Sequence, residues 1–203
     1  MDTQSSKRQR LVIASGNAGK VREFDQLLAG LGLEIAPQPP GLEVEETGST
    51  FAENARIKAE AVARATGCWA LADDSGLSVD ALGGAPGVHS ARYADSDPAR
   101  IARLLQELEA AGASTAEQRG ARFTAALAVA DPSGRVVLEV EGHCPGVILP
   151  APRGEGGFGY DPVFLVPEVK LTFAEMDKSL KARLGHRGQA FAQLEPRLQS
   201  LLP

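Results

Sequence analysis

Hydrophobic and polar positions switch between two periods along the chain. Leu11-Val12-Ile13-Ala14 is a continuous apolar run of the kind a doubly covered strand shows, and predicts a strand over Arg10–Ala14. A helix over Ala18–Ala29 follows, then a strand over Leu33–Ala36 and a loop rich in Pro and Glu. The next helix, Phe51–Ala65, opens with Thr50-x-x-Glu53, a capping box. Phe51, Ala55, Ala59 and Val62 form its apolar stripe, with Arg56, Glu60 and Arg64 on another face. Trp69–Ala72 and Leu77–Asp80 read as two short strands joined by the turn-forming run Asp73-Asp74-Ser75-Gly76. Asp97-Pro98 reads as the N-cap and first residue of a helix carrying Ile101, Leu104, Leu105 and Leu108 and ending at Gly112. Ala121–Ala130 and Arg135–Gly142, separated by Asp131-Pro132-Ser133-Gly134, predict an antiparallel hairpin. A glycine- and proline-rich loop over Pro145–Asp161, a strand near Val163–Val166, a short helix and a final helix over about His186–Leu201 complete the reading. The order is α/β, with a mixed sheet.

Composition narrows this little: 203 residues, 43% apolar and 23% charged, suit a globular chain with one sizeable core. A net charge of −5, with no long Lys/Arg stripe, argues against a broad nucleic-acid footprint. Cys68 and Cys144 lack metal-site spacing and read as small core residues. No apolar run approaches membrane length, and residues 1–10 hold no apolar segment of the kind a secretory signal needs. The expectation is a cytoplasmic protein with a disordered basic tail over residues 1–9 and a single domain over 10–203.

Candidate chemistry begins at Ser15-Gly16-Asn17-Ala18-Gly19-Lys20, between the first strand and first helix. Backbone amides, the helix dipole and the Lys20 ammonium there can converge on a phosphate. The spacing departs from the Walker pattern, since Ala14 and Val21 stand where Gly and Ser/Thr belong. By itself the turn is equally an ordinary strand-to-helix connection.

Without a Walker hydroxyl, magnesium needs carboxylates. Two pairs qualify, Glu45-Glu46 and Asp73-Asp74, each with a bland alternative as acidic loop or turn. If Asp73 caps the local turn, Asp74 is the better general base for an attacking water. Lys58, Lys178, Lys181 and Arg187 add cations, and Asn54 shares a helix face with Lys58, both being candidate substrate contacts. Phe158 or Tyr160 can stack on a purine, while Arg187 or a protonated His186 can donate to its 6-oxo group. A 6-amino group would meet those donors with a donor, which discriminates against adenine.

In order and wording these pieces resemble the inosine/xanthosine triphosphate pyrophosphatase family from Leu11 to about Gln189. They are the Ser15–Lys20 turn; Glu45-Glu46-Thr47-Gly48 leading into Phe51-Ala52-Glu53-Asn54-Ala55 and Lys58-Ala59; Ala72-Asp73-Asp74-Ser75-Gly76-Leu77; Leu82-Gly83-Gly84-Ala85-Pro86-Gly87 followed by Ser90-Ala91-Arg92-Tyr93; Gly157-Phe158-Gly159-Tyr160-Asp161-Pro162; and His186-Arg187-Gly188.

The resemblance implies an elongated mixed sheet flanked by helices, two lobes around a central cleft, and a homodimer. It implies Mg2+-dependent cleavage of ITP, dITP and XTP to the monophosphate and pyrophosphate. Carried over by position, Ser15, Gly16, Asn17, Ala18, Gly19, Lys20 and Ser75 would contact substrate. Phe158, Gly159, Tyr160, Asp161, Lys181, His186 and Arg187 would hold phosphates and base. Asp74 would be proton acceptor and metal ligand, joined by Glu45 or Glu46. The family usually carries serine before its His-Arg pair; this chain has Gly185, a tolerable helix cap. Two alternatives stay open: a pyrophosphatase for other modified nucleotides, and a non-catalytic nucleotide-binding protein.

Overall fold

A computed structural model describes residues 9–202; most of the expected basic tail lies outside these residues. Seven strands form one sheet in the order β2-β1-β3-β4-β5-β6-β7. They are β1 (Arg10–Ala14), β2 (Glu34–Pro37), β3 (Trp69–Val79), β4 (Gly120–Ala130), β5 (Val136–Ile148), β6 (Phe164–Val166) and β7 (Leu171–Thr172). β1 pairs parallel with β2 and β3, and every later pairing is antiparallel, so the sheet is mixed as expected. The helices are α1 (Ala18–Leu28), α2 (Phe51–Thr66), α3 (Asp97–Ala110), α4 (Lys178–Leu184) and α5 (His186–Leu201).

Alternation along β1 sorts the core. Leu11 and Ile13 face Phe24 and Leu28 of α1 and the apolar side of α5, while Val12 and Ala14 face α2. On the α2 face the packing is almost entirely alanine: Ala55, Ala59 and Ala63 meet Ala70, Ala72, Ala126, Ala128 and Ala130, which lets the helix lie close to the sheet. A third cluster occupies the other half of β3–β5, where Leu77, Val79, Phe123 and Ile148 join Leu104 and Leu108 of α3 and Phe164 and Phe173. The two halves meet along the middle of β3.

Three sequence expectations change here. Asp73-Asp74-Ser75-Gly76 is not a turn: β3 runs unbroken from Trp69 to Val79, with Asp73 opposite Leu127 and Asp74 opposite Ala126 on β4. Cross-strand pairing over ten positions overrides the local turn preference. The α3 N-cap is Ser96, whose Oγ accepts from the Ala99 amide, so Asp97 is already helical and its carboxylate is free to reach elsewhere. Pro145–Ile148 belongs to β5 rather than to the following loop. The α2 capping box is present, as is the β4–β5 hairpin, whose turn is tied by the Ser133 amide donating to Asp131 Oδ1. Both cysteines are unpaired, Cys144 being buried. No helix of the described residues is long and apolar enough to cross a membrane.

The α4–α5 junction explains the glycine of His186-Arg187-Gly188. A Cβ on Gly188 would lie 1.5 Å from the Ala182 carbonyl oxygen. Gly188→Ala is therefore expected to cost about 1–3 kcal/mol by overpacking, read as a lower thermal midpoint. An unchanged midpoint would show that the junction has slack. Gly185 gives α5 no side-chain cap, and a Cβ there would stand 2.6 Å from the Lys181 carbonyl oxygen.

Candidate active site

Because side chains alternate along a strand, β3 sends its two aspartates to opposite faces. Asp74 points to the α2 face, where Lys58 Nζ lies 3.0 Å from its Oδ1. The same ammonium donates to Glu46 Oε1 at 2.7 Å and to the Asp73 carbonyl at 2.8 Å. Arg92 completes the group by donating to the other Glu46 oxygen at 2.8 Å. The structure thus separates the Glu45-Glu46 pair: Glu46 turns in to Asp74 and Lys58, whereas Glu45 is exposed. Burial raises the Asp74 pKa despite Lys58 and Lys20, and its Oδ2 is buried with no partner. Burial would also raise Glu46, but its bond to Lys58 brings it below the ordinary glutamate value. Lys58 itself is raised, its carboxylate neighbours outweighing burial.

Asp73 faces α1 and α5. It receives Lys20 Nζ at 2.8 Å and the Ser75 hydroxyl at 3.0 Å, and Arg187 Nε lies 3.5 Å from its Oδ1. Burial alone would raise its pKa; Arg187 and Lys20 instead hold it well below the usual carboxylate range. Lys20 is lowered by burial in spite of Asp73. Arg187 also donates to Ser75 Oγ at 2.5 Å and to Glu23 at 2.8 Å, so its guanidinium is largely committed within the protein. Glu23 in turn accepts from Lys181, which also donates to Asp161, each at 2.7 Å. Lys181 keeps one of its three N–H groups for a ligand. Glu23 was absent from the sequence reading; its place three residues after Lys20, on the same helix face, was the available signal.

A cavity of about 190 Å³ opens beside this network, lined by Glu23, Phe158, Phe173, Lys181, His186 and Arg187 among others. Phe158 forms one wall, with Lys181 Nζ 5.0 Å from its ring centroid. Gly19 permits that placement, because a Cβ there would stand within 3.0 Å of the ring. The Phe158 amide donates to Asp161 Oδ2 at 2.9 Å, and burial raises the Asp161 pKa.

Four expected roles change. Tyr160 is buried with its hydroxyl donating to the Ser90 carbonyl, which removes it as a stacking surface. His186 is buried with its ring stacked on Phe123 at 4.7 Å, and burial followed by Arg187 pushes its pKa well down, which favours the neutral ring over the protonated donor expected. Asn54 is fully buried and accepts from the Gly48 amide at 2.8 Å, fixing the loop that carries Glu46. In the Ser15–Lys20 turn, the Gly19 and Lys20 amides are already capped by Asn17 Oδ1, and the Asn17 amide donates to Ser15 Oγ. Any phosphate cradle there falls to Gly16, Ala18 and the Lys20 side chain.

Comparison with known proteins gives the family. The sequence pattern of the Ham1 family matches residues 11–197. A dITP/XTP pyrophosphatase of Parasynechococcus marenigrum is 64% identical over 192 residues, covering 95% of this chain and 96% of its own. One from Prochlorococcus marinus strain MIT 9313 is 60% identical over 202 residues, covering 100% and 97%. A solved Ham1 protein from Coxiella burnetii superposes with a TM-score of 0.85 at 44% identity, covering 95% of this chain and 99% of its own. The match spans the first strand, both faces of β3 and the His-Arg helix alike: the chain belongs to the Ham1 family.

Proposed function

We propose that this chain hydrolyses ITP, dITP and XTP to the nucleoside monophosphate and pyrophosphate. The observation that carries the reading is the meeting of Asp74, Glu46 and Lys58 on one face of β3, with Lys20 paired to Asp73 on the other. The names of the 60–64% identical relatives support the substrate class.

The site fits a magnesium ion: Asp74 Oδ2 is buried without a partner, and Glu46 supplies a second hard oxygen donor from across Lys58. Among the described residues no third carboxylate, His or Cys joins them, which suits an ion that takes its remaining ligands from phosphate and water. When bound, Mg2+ neutralises charge developing on the polyphosphate. Asp74 takes the proton of the attacking water. Lys58 holds the two carboxylates in register, and Lys20 offers its ammonium to the polyphosphate. Phe158 stacks on the base, with Lys181 supplying a donor to a 6-oxo group. The proposal includes a cytoplasmic homodimer that acts on a small molecule, without nucleic acid or membrane as partner.

Pyrophosphate release from ITP, XTP, GTP and ATP, with and without Mg2+, tests the proposal. The expected result is Mg2+-dependent turnover of ITP and XTP at least tenfold above ATP, a difference of about 1.4 kcal/mol in transition-state binding. Equal turnover of all four, or none of any, would overturn it.

A further inference from the structure

The α3 start carries a carboxylate that neither caps the helix nor belongs to the chemistry above. Asp97 Oδ2 accepts from the Gly159 amide at 2.7 Å, across 62 residues of sequence, while its Oδ1 pairs with Arg100 one turn along α3. Ser96 does the capping, which is why Asp97 is available. Gly159 sits at φ +62°, between Phe158 on the cavity wall and Tyr160 in the core. Asp161 fixes the Phe158 amide and Ser90 fixes the Tyr160 hydroxyl, leaving the left-handed glycine as the joint between them.

We infer that Asp97 is a positioning residue for the aromatic wall: its carboxylate holds the Gly159 amide and so sets how far Phe158 leans over Lys181 and Arg187. A carboxylate accepting an amide makes a charge-assisted bond, shorter and stronger than a neutral one. Arg100 holds that carboxylate from the side, since the bond runs from Arg100 to Oδ1 and from Gly159 to Oδ2. Asp97 is not among the residues that line the cavity. Its effect reaches the substrate through Phe158, so it falls on base binding rather than on the proton transfer at Asp74.

The kinetic arm of the test rests on the pyrophosphatase reading; the hydrogen-exchange arm does not. Asp97→Ala is expected to raise the KM for ITP about tenfold with kcat within about twofold of the parent, the signature of lost binding that is shared by ground and transition states. Asp97→Asn keeps an acceptor for the Gly159 amide and is expected to restore most of the KM. Arg100→Met removes the side support but not the acceptor and is expected to leave KM within about threefold. Hydrogen exchange over residues 155–161 is expected to quicken in Asp97→Ala and to stay near the parent rate in Arg100→Met. Unchanged exchange and KM in Asp97→Ala, or a fall in kcat matched by a general loss of folding with no rescue by Asp97→Asn, would overturn the assignment. If the parent protein released no pyrophosphate, the function proposed above would fall, and exchange alone would still decide the role of Asp97.

Discussion

Asp74→Asn is expected to lower pyrophosphate release from ITP by roughly 10²–10⁴-fold, the range for losing a positioned general base, while nucleotide binding survives. The amide is isosteric and can still accept from Lys58 through its oxygen, so the contact at 3.0 Å and the α2–β3 packing persist. What disappears is the basic oxygen. The carboxylate is at stake as a whole: burial has raised its pKa, which makes it a better proton acceptor than an exposed aspartate, and its charge would also help to hold Mg2+. Binding is expected to persist because Lys20, Lys181 and Phe158 contribute from other elements. The measurements are pyrophosphate release and titration calorimetry with ITP in Mg2+. Parent-like turnover would remove Asp74 from the base's role. Loss of binding together with turnover would instead place it among the groups that hold the nucleotide.

The same residue shows where the sequence was and was not readable. α2 was legible almost to the residue because Thr50 and Glu53 cap each other and the alanine stripe is strictly periodic, all of it information within one helix. β1 and the β4–β5 hairpin were legible for the same reason. Asp73-Asp74-Ser75-Gly76 was misread because its composition is that of a turn, while the forces that straighten it come from β4, some fifty residues on. Gly76 fits a strand there since Ser90, Gly87 and Phe51 occupy the space its side chain would need. The aspartate pair was therefore found as a candidate and its setting was not. Phe158 and Tyr160 looked equivalent in sequence; only the Ser90 carbonyl, reached by the Tyr160 hydroxyl, separates the wall of the cavity from the core. Glu23 escaped notice because a lone glutamate on a helix is ordinarily solvated, and its partners Lys181 and Arg187 come from the far end of the chain.

Asp73→Asn is expected to be the most damaging single change to the fold near the site, although the proposed reaction gives Asp73 no step. Among the described residues it is the one carboxylate that both Lys20 and Arg187 approach, and its side chain is 1% exposed. Removing one member of a buried ion-pair network typically costs about 3–5 kcal/mol, because the remaining charges stay buried without compensation. For a chain of this size that corresponds to a fall of roughly 6–20 °C in the thermal midpoint. Glu23 can still neutralise Arg187, which places the expected loss toward the lower end; Lys20 has no second carboxylate among its described ion pairs. Acidity provides the check. The folded-state pKa of Asp73 is depressed below its ordinary 3.8, so its contribution is fully present above that value and is lost as the pH falls from there through the folded-state value. Asp74 and Asp161 are shifted the other way, their pKa values being raised, and their contribution changes with opposite sign; both remain in the variant and largely cancel in the comparison. In chelator-treated protein the gap in midpoint between parent and Asp73→Asn is therefore expected to be constant from about pH 7 to about pH 5 and to narrow below about pH 4. A gap that held its full width into that acidic range would mean that the loss comes from packing around Asn rather than from the charge that Lys20 and Arg187 are built to meet.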